Sequence, residues 1–389
     1  MKYSGLFLVL ATLLISCDQQ SFQADPDRAA FISYLGVDTL AVEQFEKTAQ
    51  GIVAHVILRS PETTFSSYEL EMDDTGAIET MTRKIYPKES GFSGEGIVVQ
   101  AIQKDGDSLR VEMSGAGGTR EFAIESEPGL LPFIDMVHWP YELALNQAAV
   151  SGKDTVNQRM LTGSSVSDFI IAAIDTDSMT IRHPFRGVMG VDVNEAGELL
   201  TLDAGLTTRK LRVERVAGVD LNQAGERFAA ADLAGNPFGA LSGAEEAEFT
   251  VKGETFRLEY GTPLKRGREL FGGIVPWGEV WRTGANRATH FYTPVALRFE
   301  NLYVPPGEYT LFSIPEEDGG VLIINTQTGQ NGQSYDPDRD LGRVPMEITT
   351  KEGTTERFTI TVDETETGGV LRLIWGETIL SAEFEMNES

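Results

Sequence analysis

The chain has 389 residues, of which 59 are acidic and 32 are Lys or Arg, so that its formal net charge at pH 7 is −27. A surface this acidic repels nucleic acids and anionic lipids, because binding to either depends on basic patches. Cys17 is the only cysteine, which excludes disulfides within the chain and metal sites built on cysteines.

The first sixteen residues have the three parts of a bacterial secretory signal. Lys2 supplies a positive charge, the apolar run 6–15 follows, and Ser16 stands before Cys17. A charged start, a short apolar core and a small residue before the cut define such signals. The run is shorter than the roughly 20 residues that cross a bilayer. Residues 1–16 are therefore predicted to be a signal peptide that is removed on export.

The end of this segment, Leu14-Ile15-Ser16-Cys17, resembles the bacterial lipobox. The resemblance implies cleavage before Cys17 and lipidation of its thiol. Residues 17–37, which begin with the polar stretch 18–27, are predicted to be a tether. The protein would then contact a membrane through this lipid, outside the cytoplasm, in the cell envelope. The alternative is a plain secretory signal that happens to contain a cysteine.

Residues 38–215 are predicted to form an antiparallel β-domain. Short alternating apolar runs, such as 52–59 and 188–193, end at turn-forming sequences. Frequent turns without helices between them favour a meander that is a barrel or a half-barrel. One apolar segment, 130–150, interrupts the pattern and predicts a helix, broken near Pro140, that plugs or covers the sheet.

Residues 216–247 are rich in Ala and Gly and are predicted to link two domains, with a short helix over 222–233. Alternating apolar residues resume at residue 248 and predict a second β-domain that extends to residue 387. The predicted fold is all-β, with an N-terminal barrel or half-barrel and a C-terminal β-sandwich.

The second domain contains stretches that are unusual in both length and composition. They read Phe271-Gly272-Gly273, Val280-Trp281-Arg282-Thr283-Gly284-Ala285-Asn286, Val304-Pro305-Pro306-Gly307 and Leu373-Ile374-Trp375. Together they resemble the bacterial family called domain of unknown function 2911, or DUF2911. The resemblance implies a fold and a candidate site for this region. It implies no reaction, because the family's name states that none is established.

The candidate binding site consists of Trp281, Arg282 and Asn286, with Tyr335 and Arg343 as possible neighbours. Arginine offers five donors in a fixed fork that suits a carboxylate or a phosphate. Glycines around the motif permit close approach of the backbone. The alternative is a structural turn, in which Arg282 pairs with a carboxylate of its own chain and Asn286 satisfies backbone groups.

An acidic loop is a weaker candidate, for calcium. Its acidic residues fall at positions one, three, five and twelve of the calcium-loop pattern and are Asp336, Asp338, Asp340 and Glu347. The glycine of the loop falls at position seven instead of six, and Arg339 adds an opposing charge. No other cofactor is predicted.

Motifs of the common catalytic centres are missing from the sequence. The four histidines are not spaced as metal ligands, and neither His-Glu-x-x-His nor Gly-x-Ser-x-Gly occurs. The glycine-rich run 115–118 leads into an alternating strand, which predicts a hairpin turn rather than the phosphate loop of a dinucleotide site.

These observations favour a non-catalytic envelope lipoprotein that binds a small apolar molecule, a glycan or a protein partner. Two alternatives stay open: a hydrolase that uses two carboxylates, which an acidic chain could contain unnoticed, and a purely structural envelope protein. An enzyme should have two facing carboxyl groups in a cleft, whereas a carrier should have an apolar cavity.

Overall fold

The computed structural model describes residues 28–300 and 302–386, so the predicted signal peptide and Cys17 lie outside the described residues. The described chain forms one 15-stranded sheet, one 9-stranded sheet and two α-helices. The prediction of an all-β fold with two successive β-units is confirmed. Neither helix in these two ranges is long and apolar enough to cross a bilayer.

The N-terminal sheet contains the first fifteen strands. They are β1 (Arg28–Leu35), β2 (Asp38–Lys47), β3 (Gly51–Leu58), β4 (Thr64–Met72), β5 (Ile78–Tyr86), β6 (Ile97–Asp105), β7 (Ser108–Gly115), β8 (Gly118–Glu125), β9 (Leu131–Pro132), β10 (Thr155–Thr162), β11 (Ser165–Asp175), β12 (Ser178–His183), β13 (Gly187–Val193), β14 (Leu199–Asp203) and β15 (Arg212–Val216).

Two antiparallel meanders, β1–β8 and β10–β15, make up this sheet. Pairing of β1 with β15 joins them, while β9 pairs in parallel with β10. Strands β8 and β9 are therefore the two edges of an open sheet, which is a half-barrel. The predicted hairpin at residues 115–118 connects β7 to β8.

Helix α1 (Trp139–Ser151) packs against the inner face of the half-barrel. Its Trp139 and Leu145 are fully buried and share one core with Phe31 of β1 and Phe169 of β11. The predicted helix exists, but it is not broken at Pro140. It begins at Trp139, and Pro140 lies in its first turn, where an absent N–H removes no helical hydrogen bond.

Two buried glutamates attach α1 to the sheet. Glu43 of β2 accepts a hydrogen bond from the backbone N–H of His138 at 2.9 Å, which satisfies a donor at the start of the helix. Glu142 in the helix lies 2.9 Å from Nζ of Lys47 and 3.2 Å from Nη1 of Arg215. Buried carboxylates need such partners, so these contacts determine where the helix sits.

Helix α2 (Leu221–Leu233) follows β15 and corresponds to the helix expected over 222–233. The Asp220 side chain accepts a hydrogen bond from the Gln223 N–H and caps the helix. Its buried face, Ala224 and Phe228, packs on Ile57 and Phe65 of the half-barrel.

The C-terminal sheet contains the last nine strands. They are β16 (Ser242–Val251), β17 (Glu254–Pro263), β18 (Thr289–Thr293), β19 (Leu297–Phe299), β20 (Leu302–Val304), β21 (Gly307–Glu316), β22 (Gly319–Asn325), β23 (Asp340–Glu364) and β24 (Gly368–Met386). The pairing of the long strands β23 and β24 shifts near Thr355, and the sheet folds over itself. Phe256 of β17 thereby meets Phe384 of β24, with ring centroids 5.9 Å apart.

Strands begin earlier than expected at both domain starts. β1 begins at Arg28, within the segment expected to be a tether, and β16 begins at Ser242, within the segment expected to be a linker. In β1, Ala29, Ala30 and Phe31 are all buried. A strand buried on both faces shows no alternation of apolar and polar residues, so the sequence pattern does not mark it.

Candidate functional site

A small basic pocket lies where the two sheets meet, with a volume of about 130 Å³. Loops of both domains line it. The N-terminal domain contributes Leu35, Thr208, Arg209 and Lys210, and the segment after it contributes Leu241. The C-terminal domain contributes Arg268, Ile274, Val275, Trp281, Arg282, Asn286 and Trp375. The turn that the sequence identified as a candidate site therefore forms one wall of this pocket.

Four basic residues and no acidic residue line the pocket. Arg209 is paired with Asp135 outside it. Nζ of Lys210 donates a hydrogen bond to a backbone carbonyl at 2.9 Å, and Arg268 donates to two carbonyls of its own loop. Among the hydrogen bonds and ion pairs of residues 28–300 and 302–386, none involves the Arg282 guanidinium. Its five donors are available to a ligand.

Burial disfavours the charged forms of three basic groups in the pocket. Burial, together with the positive charges of Arg268 and Arg282, lowers the pKa of Lys210. Burial and the neighbouring Arg266 lower the pKa of Arg268 to about 10. Burial also lowers the pKa of Arg282. A lowered pKa means that the charged form is disfavoured, so an anion in the pocket would stabilise all three groups.

The half-buried indole of Trp281 forms the apolar wall beside these charges, and the buried ring of Trp375 supports it. The rings of Trp281 and Trp375 are stacked, with centroids 6.1 Å apart and planes 10° apart. The backbone N–H and C=O of Trp281 bond to Ser313 at 2.7 and 2.8 Å, and its indole N–H donates to the Gly284 carbonyl at 3.1 Å. Trp281 is therefore rigidly held and offers a ligand mainly an apolar surface.

Left-handed backbone conformations concentrate around the pocket. In the described part of the chain, seven non-glycine residues have positive φ, and four of them lie in or next to the pocket: Lys210 at 51°, Arg266 at 49°, Thr283 at 54° and Asn286 at 65°. Such conformations cost about 1–3 kcal/mol each and persist where the surrounding structure imposes them, often at functional sites. Their clustering distinguishes this pocket from the rest of the surface.

Close packing also places Arg282. A Cβ on Gly332 would lie 2.5 Å from Cδ of Arg282, so only glycine lets the loop after β22 cover this side chain. The Gly332 N–H donates to the Asn286 carbonyl at 3.3 Å. The contribution of Asn286 to this arrangement is made by its backbone, and its side chain remains exposed.

Tyr335 and Arg343 do not line the pocket. Both side chains bond to Asp340: the Tyr335 hydroxyl lies 2.8 Å from Oδ2, and Nη2 of Arg343 lies 3.1 Å from it. Asn325 donates to the other oxygen of Asp340 at 2.9 Å. These two predicted neighbours of the site therefore stabilise the end of the loop after β22 and the start of β23, outside the pocket lining.

The same network accounts for the acidic loop. The carboxylate of Asp340 already accepts hydrogen bonds from Asn325, Tyr335 and Arg343. The side chain of Asp336 accepts the N–H of Asp338 and caps a single 3-10 turn. Glu347 lies on β23 and is exposed. Within residues 28–300 and 302–386, no group of three or more His, Cys, Asp or Glu could hold a metal ion. The structure does not assemble the four acidic residues into a calcium site.

Two groups of polar side chains resemble parts of a hydrolase active site, and the geometry of neither fits catalysis. Ser33 Oγ and Glu43 Oε1 lie 3.1 and 2.9 Å from the same nitrogen, Nδ1 of His138. In a nucleophile relay the serine and the carboxylate use opposite nitrogens. Glu246 and Glu259 face each other across β16 and β17 in an open cavity of about 590 Å³. Both are exposed, so neither is desolvated as a general acid would be.

A carrier of an apolar molecule should have an apolar cavity, and the mouth of the half-barrel is the place to look for one. The pocket there has a volume of only about 20 Å³, between residues 133–141, His183 and Arg209. Side chains of α1 and of the segment before it fill the interior. The interdomain pocket is therefore better placed to admit a ligand than this region.

Comparison with known proteins concerns mainly the C-terminal domain. Residues 242–384 match the family model described as a protein of unknown function, DUF2911. The sequence-based resemblance is thereby confirmed for this region. The DUF2911 region contains Arg268 and the Trp281–Asn286 turn, whereas Lys210 and Arg209 lie outside it. No curated protein matches the chain.

Two solved structures resemble parts of the chain distantly. A DUF1089 family protein from Pseudomonas aeruginosa aligns with a TM-score of 0.30 and 11% identity, covering 43% of this chain and 92% of that chain. A beta-barrel-like protein of domain of unknown function DUF1849 from Brucella abortus aligns with a TM-score of 0.30 and 12% identity, covering 49% and 94%.

Sequence reasoning missed the basic residues outside the motif. Lys210 and Arg268 approach Arg282 only in the folded chain. Two signals were present: Arg209-Lys210 and Lys265-Arg266-Gly267-Arg268 are basic runs in a strongly acidic sequence, and such local reversals of charge indicate candidate sites.

Proposed function

We propose that this protein is a lipid-anchored protein of the bacterial cell envelope that binds a small anionic molecule in the pocket between its two domains, without catalysing a reaction. The observation that carries the proposal is the charge of the pocket. Lys210, Arg268 and Arg282 converge there with no acidic side chain in the lining, in a chain whose net charge is −27.

An anion with an apolar part suits this lining best. The guanidinium fork of Arg282 fits a carboxylate or a phosphate, and the half-buried indole of Trp281 offers a flat apolar surface beside it. The pocket has no carboxylate or imidazole in its lining, so the side chains that most often act as general bases are not part of it. This supports binding rather than catalysis.

The anchor rests on the sequence of the first seventeen residues. The charged start, the apolar run 6–15 and the lipobox-like ending at Cys17 support export and lipidation. An envelope location would expose the pocket to small anions outside the cytoplasm.

Calorimetric titration of the chain from residue 18 onward with benzoate tests the binding proposal. Arg282→Gln removes the unoccupied fork, and the matched control Arg343→Gln removes an exposed arginine that is bonded to Asp340 away from the pocket. A charge-assisted hydrogen bond contributes about 1.5–3 kcal/mol, so Arg282→Gln should weaken binding roughly tenfold or more. Arg343→Gln should leave it unchanged.

A comparison of unliganded proteins separates a binding role from a structural one. Arg282→Lys keeps the charge and loses the fork. If this variant melts at a lower temperature without ligand and binds benzoate as the wild type does, Arg282 is structural. Equal affinities of wild type, Arg282→Gln and Arg343→Gln would also refute the proposal.

A further inference from the structure

The positive charges of the pocket come from both domains. Lys210 lies in the loop between β14 and β15 of the half-barrel, whereas Arg268 and Arg282 belong to the C-terminal domain. The charges of Arg268 and Arg282 act on Lys210, so the three groups are near one another across the domain boundary. A bound anion would therefore contact both domains at once.

One negative charge cannot balance these groups. The charge of Arg209 is already balanced by its ion pair with Asp135, so Arg209 needs no charge from the ligand. Arg268 donates hydrogen bonds to two carbonyl oxygens, and the carboxylates of Glu356 and Asp38, outside the pocket lining, partly balance its charge. Lys210 donates to a carbonyl oxygen, which leaves its charge unbalanced. Together with Arg282, two positive charges remain without a carboxylate that acts on them.

We infer that the ligand of this pocket carries a dianionic head group, held between Lys210 of the N-terminal domain and Arg282 of the C-terminal domain. The inference rests on the proposed function and narrows its ligand class. Arg282 would bind two oxygens of the head group in its planar fork, and Lys210 would meet the second charge as a compact cation with rotatable donors. Arg268 would add to the attraction through its charge.

A phosphate monoester and a dicarboxylate share this chemistry. Both spread two negative charges over several oxygens, and each can carry an aromatic or aliphatic group that would lie against Trp281. A ring of modest size is the natural probe, because the pocket has a volume of only about 130 Å³.

The test compares three probes that share a benzene ring. Phenyl phosphate and phthalate are dianions at pH 7.5, and benzoate is a monoanion. Calorimetric titrations of the whole chain from residue 18 onward are run at matched ionic strength, because salt screens such interactions. Both dianions, or one of them, should bind at least tenfold more tightly than benzoate. The tighter of the two identifies the head group as a phosphate monoester or a dicarboxylate.

Lys210→Gln should reduce the preference for the dianion over benzoate severalfold, because it removes the second charge partner. Lys252→Gln is the matched control. Lys252 has the same left-handed backbone, with φ of 52°, but is exposed in the turn between β16 and β17, outside the pocket. Its replacement should leave all three affinities unchanged.

Protonation of the probe supplies an independent readout. A phosphate monoester loses its second charge near pH 6, so phenyl phosphate should bind more weakly at pH 5.5 than at pH 7.5 and approach benzoate in affinity. If benzoate binds as tightly as both dianions, the dianion inference is wrong while the anion proposal stands. If none of the probes binds, both are wrong. A preference that Lys210→Gln leaves intact would also overturn the inference.

Discussion

The guanidinium of Arg266 lies 2.8 Å from the carboxylate of Asp38 and joins the C-terminal domain to the start of β2 in the half-barrel. The same guanidinium donates a hydrogen bond to the Phe238 carbonyl at 2.7 Å, and its central carbon lies 3.8 Å from the centre of the Phe238 ring. The Arg266 carbonyl accepts the Val37 N–H at 3.1 Å. One buried residue thus contacts both domains and the segment between them, next to the basic pocket.

Replacing Arg266 by Lys should destabilise the protein. A lysine keeps the charge but cannot direct donors at Asp38 and Phe238 together. Loss of one charge-assisted hydrogen bond predicts a decrease of about 1.5–3 kcal/mol in the free energy of unfolding, measured by urea denaturation. The control is Arg287→Lys, an exposed arginine 3.6 Å from Glu259, which should change stability by less than about 1 kcal/mol. Equal losses in the two variants would contradict this role for Arg266.

The C-terminal domain should fold by itself. Residues 242–389 contain all nine strands of the second sheet and a core of their own, in which Phe256, Phe358, Trp375 and Phe384 are fully buried. We expect this fragment to unfold in a single cooperative thermal transition, followed by circular dichroism. A broad transition without cooperativity would show that the half-barrel is needed to complete the domain.

Stability should fall on mild acidification because of His183. Its Nδ1 accepts the Phe185 N–H at 3.1 Å, and burial together with the charge of Arg186 lowers the pKa of His183 to about 4. An unfolded histidine titrates near 6.5, so the unfolded state binds a proton first as the pH falls. The contribution of His183 is therefore fully present above pH 6.5 and is lost between pH 6.5 and 4.

His183→Asn isolates this effect, because asparagine can still accept the Phe185 N–H but does not titrate in this range. Urea denaturation at pH 7.5 and pH 5 should show that the wild type loses more stability than the variant. The other histidines are common to both proteins and cancel. A difference in stability between the two proteins that does not depend on pH would refute the assignment.

Cys17→Ser should abolish lipidation. The serine hydroxyl cannot form the thioether that links diacylglycerol to a lipobox cysteine, so metabolic labelling with palmitate should give no signal in the variant. The wild type should be labelled and should partition into detergent with the membrane fraction. Equal labelling of the two proteins would refute the anchor at Cys17.

Local sequence patterns were sufficient for much of the fold. Alternating strands such as β7, and glycine-containing hairpins such as residues 115–118, depend on neighbours along the chain, so the sequence contains their full cause. Helix α1 was visible as an apolar segment for the same reason. Strand β1 was not, because its central residues are buried on both faces and lack alternation.

The candidate site was predictable only where it is continuous in sequence. Trp281, Arg282 and Asn286 lie within one turn, and their aromatic and polar character together with the glycines marked it. The predicted neighbours Tyr335 and Arg343 lie further along the chain, and in the folded protein Asp340 takes up their donors.

The amino-acid sequence by itself determined the strand-rich character of the chain, its two β-domains and the turn that carries Arg282, because each depends on residues close together along the chain. Only the tertiary structure decided that Lys210 meets Arg268 and Arg282 and that no acidic side chain lines their pocket. Contacts between residues so distant in sequence arise from the docking of two domains, and no local pattern records which loops that docking brings together.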